Sequence, residues 1–143
     1  MHKARNVVGR LVEARFASPL TLDEVRQFVG EHHAIIKRLA RKYVGVVDLL
    51  QADVFPVPVA ETLIQLLSGV APQLERTAFL IRDSALFALQ VERVIRNSNH
   101  PDRRVFREPE ALQQWLGEVL DVQEQARLAQ FVDDSIGRRQ GGR

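Results

Sequence analysis

Apolar residues in the first third of the chain switch between the two-residue period of a strand and the 3.6-residue period of a helix. Apolar and polar positions alternate toward the end of residues 7–16, which predicts a strand. Thr21 and Glu24 have the spacing of a capping box, and the apolar positions after them predict a helix that extends to about Arg41. Residues 43–50 are β-branched and almost wholly apolar, as in a central strand that is buried on both faces.

The rest of the chain repeats this alternation. Five more elements are predicted, in the order helix, strand, helix, strand and helix, at about residues 59–70, 77–81, 84–95, 104–107 and 109–120. Strands that alternate with helices across short connections are typical of a largely parallel sheet covered by helices. We therefore expect an α/β fold with a mostly parallel sheet of four to five strands, four covering helices and an extra C-terminal helix.

The C-terminal segment, residues 121–143, does not continue the apolar stripe of the helix before it. If the segment continued that helix without a bend, its apolar stripe would lie on the opposite side of the helix. Either the chain therefore bends near Asp121, or the segment presents a second apolar face. Two interpretations are equally supported: the segment packs on its own domain, or it contacts a second copy or a partner. We expect a domain at residues 1–120, followed by an amphipathic helix and a basic tail. The predicted oligomer contacts, as in a homodimer, are Leu128, Phe131, Val132 and Ile136.

Composition narrows the classes of protein that fit. The 143 residues suffice for one core. The chain has no cysteine, which excludes disulfides and thiolate metal sites. The chain has twenty basic and eighteen acidic residues, and the basic residues do not form a stripe. This distribution argues against a nucleic-acid partner. No apolar run reaches the roughly 18 residues of a membrane span, and no secretory signal is recognisable, so we expect a cytoplasmic protein.

Catalytic motifs are missing from the sequence. There is no glycine-rich phosphate loop and no nucleophile elbow. His32 and His33 are adjacent and would diverge by about 100° on a helix, so they do not form a metal-binding pair. We therefore expect neither an enzyme nor a bound metal or cofactor. A pocket with polar groups converging near Asp48 and Arg82 would favour an enzyme after all.

Two titratable residues have positions that suggest a role. Asp48 lies near the carboxyl end of the expected central strand, where parallel sheets gather ligands and partners, although a hydrogen bond to the following loop is the simpler interpretation. His32 projects into the apolar arc of the first helix. A core histidine bonded to the backbone is favoured there over a pH-sensitive or ligand-contacting imidazole.

Two stretches of the sequence carry a resemblance to a known family. They are Val46-Val47-Asp48-Leu49 and the block from Arg104 to Leu116, which includes Val105-Phe106, Ala111-Leu112 and Trp115-Leu116. With the order of strands and helices, they resemble the STAS superfamily of anti-sigma-factor antagonists, in particular its bacterial SpoIIAA-like branch, over about residues 7–120. The resemblance implies a small, non-enzymatic interaction module. In related antagonists a partner kinase phosphorylates a serine that would fall here within residues 56–59, which contain no hydroxyl, so we expect no phosphoserine switch there.

These observations lead to two predicted functions. The first is a regulatory domain that binds a protein partner, either a regulator or a second copy, without catalysis. The alternative is a carrier of a small molecule or lipid, with Ile64, Leu86 and Leu89 lining an apolar groove. The residues predicted to bind a protein partner are Asp48, Gln51, Asp53, Phe55, Val57, Pro58, Glu61 and Ile64.

Overall fold

A computed structural model describes the backbone of residues 1–141 and the side chains of residues 1–138. The strands in this range are β1 (His2–Arg5), β2 (Leu11–Ala17), β3 (Tyr43–Gln51), β4 (Leu74–Ile81) and β5 (Arg103–Phe106). The α-helices are α1 (Leu22–Ile36), α2 (Val57–Val70), α3 (Ala85–Arg96), α4 (Pro109–Gly117) and α5 (Val122–Gly141). A short 3₁₀ helix, Ala71–Gln73, follows α2.

The five strands form one sheet in chain order. β2, β3, β4 and β5 run parallel to their neighbours, and β1 pairs antiparallel with β2 at one edge. One helix connects each pair of parallel neighbours, as parallel strands require. The predicted α/β class and the mostly parallel sheet are therefore confirmed. The short strand β1 was not predicted, because its four residues alternate only between exposed and half-buried positions and carry little apolar signal.

The two faces of the sheet have separate cores. α1, α2 and α3 cover one face, which we call the first face, and α4 and α5 cover the opposite face. Parallel register places Val12, Gly45, Thr77 and Arg103 side by side across β2, β3, β4 and β5. Because residues in register project to the same side of a sheet, all four belong to the first face.

Two predicted boundaries differ from the structure. β2 begins at Leu11 rather than at residue 7, because Gly9 has a φ of 54° and turns the chain before the strand. α1 ends at Ile36 rather than near Arg41. Ile36 is the last buried position of the helix, and the residues after it turn through the hydrogen bonds from Arg38 N to Ile35 O and from Leu39 N to Ile36 O.

The C-terminal segment bends at Asp121, as one of the two alternatives expected. Asp121 and Glu124 form a reciprocal cap, in which each side chain accepts a hydrogen bond from the other's backbone N–H, at 2.8 and 2.9 Å. The bend turns the stripe of α5 toward the chain's own sheet. Leu128, Phe131 and Val132 are buried there, and Ile136 is half-buried against them. Of the two alternatives, the structure shows the stripe packed on its own domain, so Leu128, Phe131 and Val132 are not exposed for contact with a second copy.

Candidate ligand cavity

A cavity of about 60 Å³ lies between the first face of the sheet and the helices α1, α2 and α3. Its walls are almost wholly apolar and come from three strands and three helices. They include Phe16, Phe28, Val47, Leu63, Leu66 and Phe79. Protein interiors normally contain few voids larger than a water molecule, so a gap of this size calls for an explanation.

The sheet contributes one residue without a side chain, Gly45, to the wall of this space. Gly45 lies in the middle of β3, and a Cβ atom at this position would lie 3.2 Å from Thr77 Cγ2 and 3.6 Å from Tyr43 Cε2. Thr77 and Tyr43 therefore flank the space above Gly45. Two residues along the same strand, Val47 is partly accessible although β3 is the central strand, because its side chain faces the cavity.

One end of the cavity is polar. His32 projects from α1 and is only 7% exposed, with its ring centroid 5.4 Å from that of Phe28 and 5.4 Å from that of Tyr43. Burial, with smaller contributions from His33 and Arg103, lowers the pKa of His32 to about 4. The imidazole is therefore neutral near pH 7. Its Nδ1 atom has no hydrogen-bond partner, so the backbone bond expected of a core histidine is missing at this atom.

Arg103 does not line the cavity, but it neighbours two residues that do, Thr77 in register on β4 and Leu67 on α2. It is 5% exposed, and its Nη2 atom donates a hydrogen bond of 2.6 Å to Leu67 O on α2. Within residues 1–138 no carboxylate forms an ion pair with it, and its Nε and Nη1 atoms have no partner. Burial lowers the pKa of Arg103, while the neighbouring Tyr43 raises it. Burial likewise raises the pKa of Tyr43.

Unpartnered polar atoms occur at this end of the cavity, on His32 and Thr77, and beside it, on Arg103. Among the described side chains, six buried nitrogen or oxygen atoms have no hydrogen-bond partner, and four of them are His32 Nδ1, Thr77 Oγ1, Arg103 Nε and Arg103 Nη1. Folded proteins satisfy the large majority of such atoms, because an unpaired buried donor costs about 1–3 kcal/mol. These four atoms belong to three residues that lie at the cavity or next to it, which makes this the main polar cluster of the first face.

A second hollow lies outside the cavity. It is a groove of about 250 Å³ between α1 and α2, with Val29, His33 and Gln65 among its walls. Leu66 on α2 contributes to both the groove and the cavity. This side chain lies at the boundary between the interior space and the surface.

Asp48, the acid singled out in the sequence, lies on the opposite face of the sheet. Its Oδ2 accepts a hydrogen bond of 2.5 Å from Arg15, and its Oδ1 accepts one of 2.9 Å from Leu50 N. Arg15 also donates to the Ser135 hydroxyl at 2.5 Å, so the pair ties α5 to the sheet. Asp48 is buried and is not available to a protein partner, which corrects that prediction.

The other predicted partner-binding residues divide into exposed and buried ones. Phe55 is buried and lines the cavity, which corrects its assignment to a partner surface, and Ile64 is half-buried. Asp53 forms an ion pair of 2.9 Å with Arg82. Asp48 and Arg82 therefore have separate partners. The exposed residues are Gln51, Asp53, Val57, Pro58 and Glu61.

The predicted apolar groove is placed wrongly. Leu86 and Leu89 on α3 are 68% and 63% exposed and do not line the cavity. The cavity lies on the inner side of α3, beside Val91 and Gln90. Gln90 exchanges two hydrogen bonds of 2.8 Å with the backbone of Phe55, which fixes the loop before α2 against α3.

Sequence reasoning missed Gly45, Thr77 and Arg103. One signal was available, because a glycine inside an otherwise β-branched strand often marks a place where a ligand or a backbone approaches closely. The arginine gave no such signal, since Arg103 sits next to Arg104 and only the register of β5 decides which of the two faces inward.

Comparison of the chain with family models, with curated proteins and with solved structures finds no match. In residues 1–141, none of the helices is both long and apolar enough to cross a membrane. The described side chains contain no group of three or more histidines and carboxylates placed to hold a metal ion.

Proposed function

We propose that this chain binds a small molecule with an apolar part in the cavity between the sheet and α1, α2 and α3. The observation that supports the proposal is the cavity itself, an apolar space that begins above a glycine of the central strand. Apolar pockets with a few converging polar groups are the usual form of small-molecule sites. The carrier function, the alternative in the sequence prediction, thus has more support than the regulatory one.

The size of the cavity sets a condition on the ligand. A cavity of about 150 Å³ holds benzene, so 60 Å³ is too small for most ligands without some movement of the walls. The groove of 250 Å³ lies on the other side of Leu66. A rotation of the Leu66 side chain would join the two spaces, and we propose this as the route of entry.

Filling the cavity tests the proposal. Val47→Phe places a ring in the cavity, and we expect it to abolish the binding of octan-1-ol, measured by isothermal titration calorimetry. Val47→Ala enlarges the same space and serves as the matched control, which we expect to keep binding. Equal binding of octanol to Val47→Phe and the wild type would contradict the proposed site.

A second candidate function is supported by an exposed apolar patch, the side chains of Val54, Val57, Leu86 and Leu89. The Phe55–Gln90 hydrogen bonds bring the loop that carries Val54 and the start of α2 beside α3. Exposed apolar clusters often mark protein-binding surfaces. The sequence resemblance implies a STAS-like regulatory domain, which would bind its partner through this surface. The second candidate function therefore includes membership of the STAS superfamily.

A charge at the centre of this patch tests the second candidate. Val57→Asp should reduce the capture of a specific partner from a lysate of the native host at least roughly tenfold, because burying a new carboxylate in an apolar contact is costly. Val7→Asp is the matched control, since Val7 is 54% exposed outside the patch. If both variants capture the same proteins as the wild type, the patch is not a binding surface.

A further inference from the structure

The buried cation beside the cavity has no anionic partner among the side chains of residues 1–138. Arg103 extends from the edge strand β5 onto the first face of the sheet, and its Nη2 atom reaches Leu67 O near the end of α2. An arginine guanidinium stays protonated in proteins, and a buried charge without a counter-charge is strongly destabilising. The described part of the chain offers this guanidinium one carbonyl oxygen and no carboxylate.

The neighbours of Arg103 could complete a binding site for an anion. Thr77 is its register partner on β4, and the Thr77 hydroxyl is unpartnered. His32 is close enough for the charge of Arg103 to lower its pKa, and its Nδ1 is unpartnered as well. A neutral imidazole has one N–H to donate, and a hydroxyl has one O–H. The cluster therefore holds free donors around a permanent positive charge.

The apolar walls begin next to this cluster. Thr77, His32 and Tyr43 all line the cavity, so the polar and apolar parts are continuous. Leu49, which also lines the cavity, lies six positions beyond Tyr43 on β3, a distance of roughly 20 Å along the strand. The polar end is thus followed by an apolar wall long enough for a short hydrocarbon chain.

We propose that the ligand is an amphipath with an anionic head group, and that its carboxylate or an equivalent oxyanion binds Arg103, Thr77 and His32. This inference rests on the proposed function, and it names the chemistry that the site selects. The apolar tail lies over Val47 toward Phe16 and Phe55. Arg103 is the residue that distinguishes an anionic ligand from a neutral one with the same tail.

The test compares two probes that differ only in the head group. Octanoate and octan-1-ol are titrated into the wild-type protein at neutral pH by isothermal titration calorimetry. A hydrogen-bonded ion pair contributes enough for octanoate to bind roughly 10- to 100-fold more tightly than octanol. This comparison uses no variant, so it does not depend on the folding of an altered protein.

Two arginines on one strand provide matched variants. Arg103→Met keeps the length of the side chain and should lower octanoate affinity to that of octanol, while octanol affinity stays unchanged. Arg103→Lys keeps the charge and should retain part of the preference. Arg104 is exposed on the other face, over the ring of Trp115 at 4.8 Å, and Arg104→Met should leave the preference intact.

The outcomes separate this inference from the proposed function. Equal affinities of octanoate and octanol for the wild type would overturn the anionic head group and leave the apolar site standing. Loss of the preference in Arg104→Met as large as in Arg103→Met would also overturn it, because general surface charge would then be the cause. Binding of neither probe would overturn both proposals.

Discussion

The pKa of His32 reflects the burial of its side chain. The ring lies between Phe28 and Tyr43 and is buried, so its charged form is disfavoured and its pKa is about 4 rather than 6.5. In the unfolded chain the same imidazole is exposed and titrates near its ordinary pKa. The difference between the two states is a contribution to stability that depends on pH.

Folding stability should therefore decline in mild acid. Below a pH of about 6.5 the unfolded state binds a proton at His32 that the folded state does not bind until about pH 4. The contribution is fully present above pH 6.5, and it falls by about 1.4 kcal/mol per pH unit between these limits. Urea unfolding at several pH values in this window should show the decline in the wild type.

Two glutamine variants isolate the contribution of His32. His32→Gln removes the titrating group, so its stability should vary less with pH in this window than that of the wild type. His33→Gln, at the exposed neighbouring position, should retain most of the decline, because burial is the larger cause of the lowered pKa of His32. Parallel pH curves for the wild type and His32→Gln would contradict the assignment of the depressed pKa to this residue.

α5 shows how polar contacts between distant segments place an element. Arg127 forms two hydrogen bonds of 2.7 Å to the carboxylate of Glu13, and Arg15 lies over the ring of Phe131 at 4.0 Å. The sequence predicted the apolar stripe of this helix but not its location. The deciding contacts join residues more than 100 positions apart, and no local pattern contains them.

Truncation of one side chain in α5 should reveal its role in the core. Phe131 is almost completely buried, and Phe131→Ala should lower the free energy of unfolding by about 3–5 kcal/mol. Asp133→Ala, at an exposed position of the same helix, should change it by less than about 0.5 kcal/mol. The measurement is urea unfolding at two protein concentrations.

Protein concentration distinguishes a core helix from a dimer contact. If α5 packs within the chain, the unfolding midpoint stays the same when the protein is diluted. A midpoint that rises with protein concentration would show that folding is linked to association, and it would favour the alternative in which α5 contacts a second copy.

For the whole molecule, the sequence predicted the class of fold better than the site. Apolar periodicity is a local property, so the order of strands and helices and the burial of β3 could be read from it. The cavity and the polar cluster beside it depend on which residues of different strands come into register, as Gly45, Thr77 and Arg103 do. Periodicity placed Leu86 and Leu89 off the inner arc of α3, where the structure has them exposed, but it does not reveal whether a groove lies beside them.

The position of α5 after all five strands has a consequence for synthesis of the protein. Ribosomes make chains from the N-terminus at about 5–20 residues per second, and the strands emerge before the helix that covers their second face. Leu11, Val44 and Val46 therefore remain open to water until Leu128 and Phe131 have been translated. During that interval the nascent chain presents an apolar sheet surface of the kind that chaperones recognise, and completion of α5 ends that exposure.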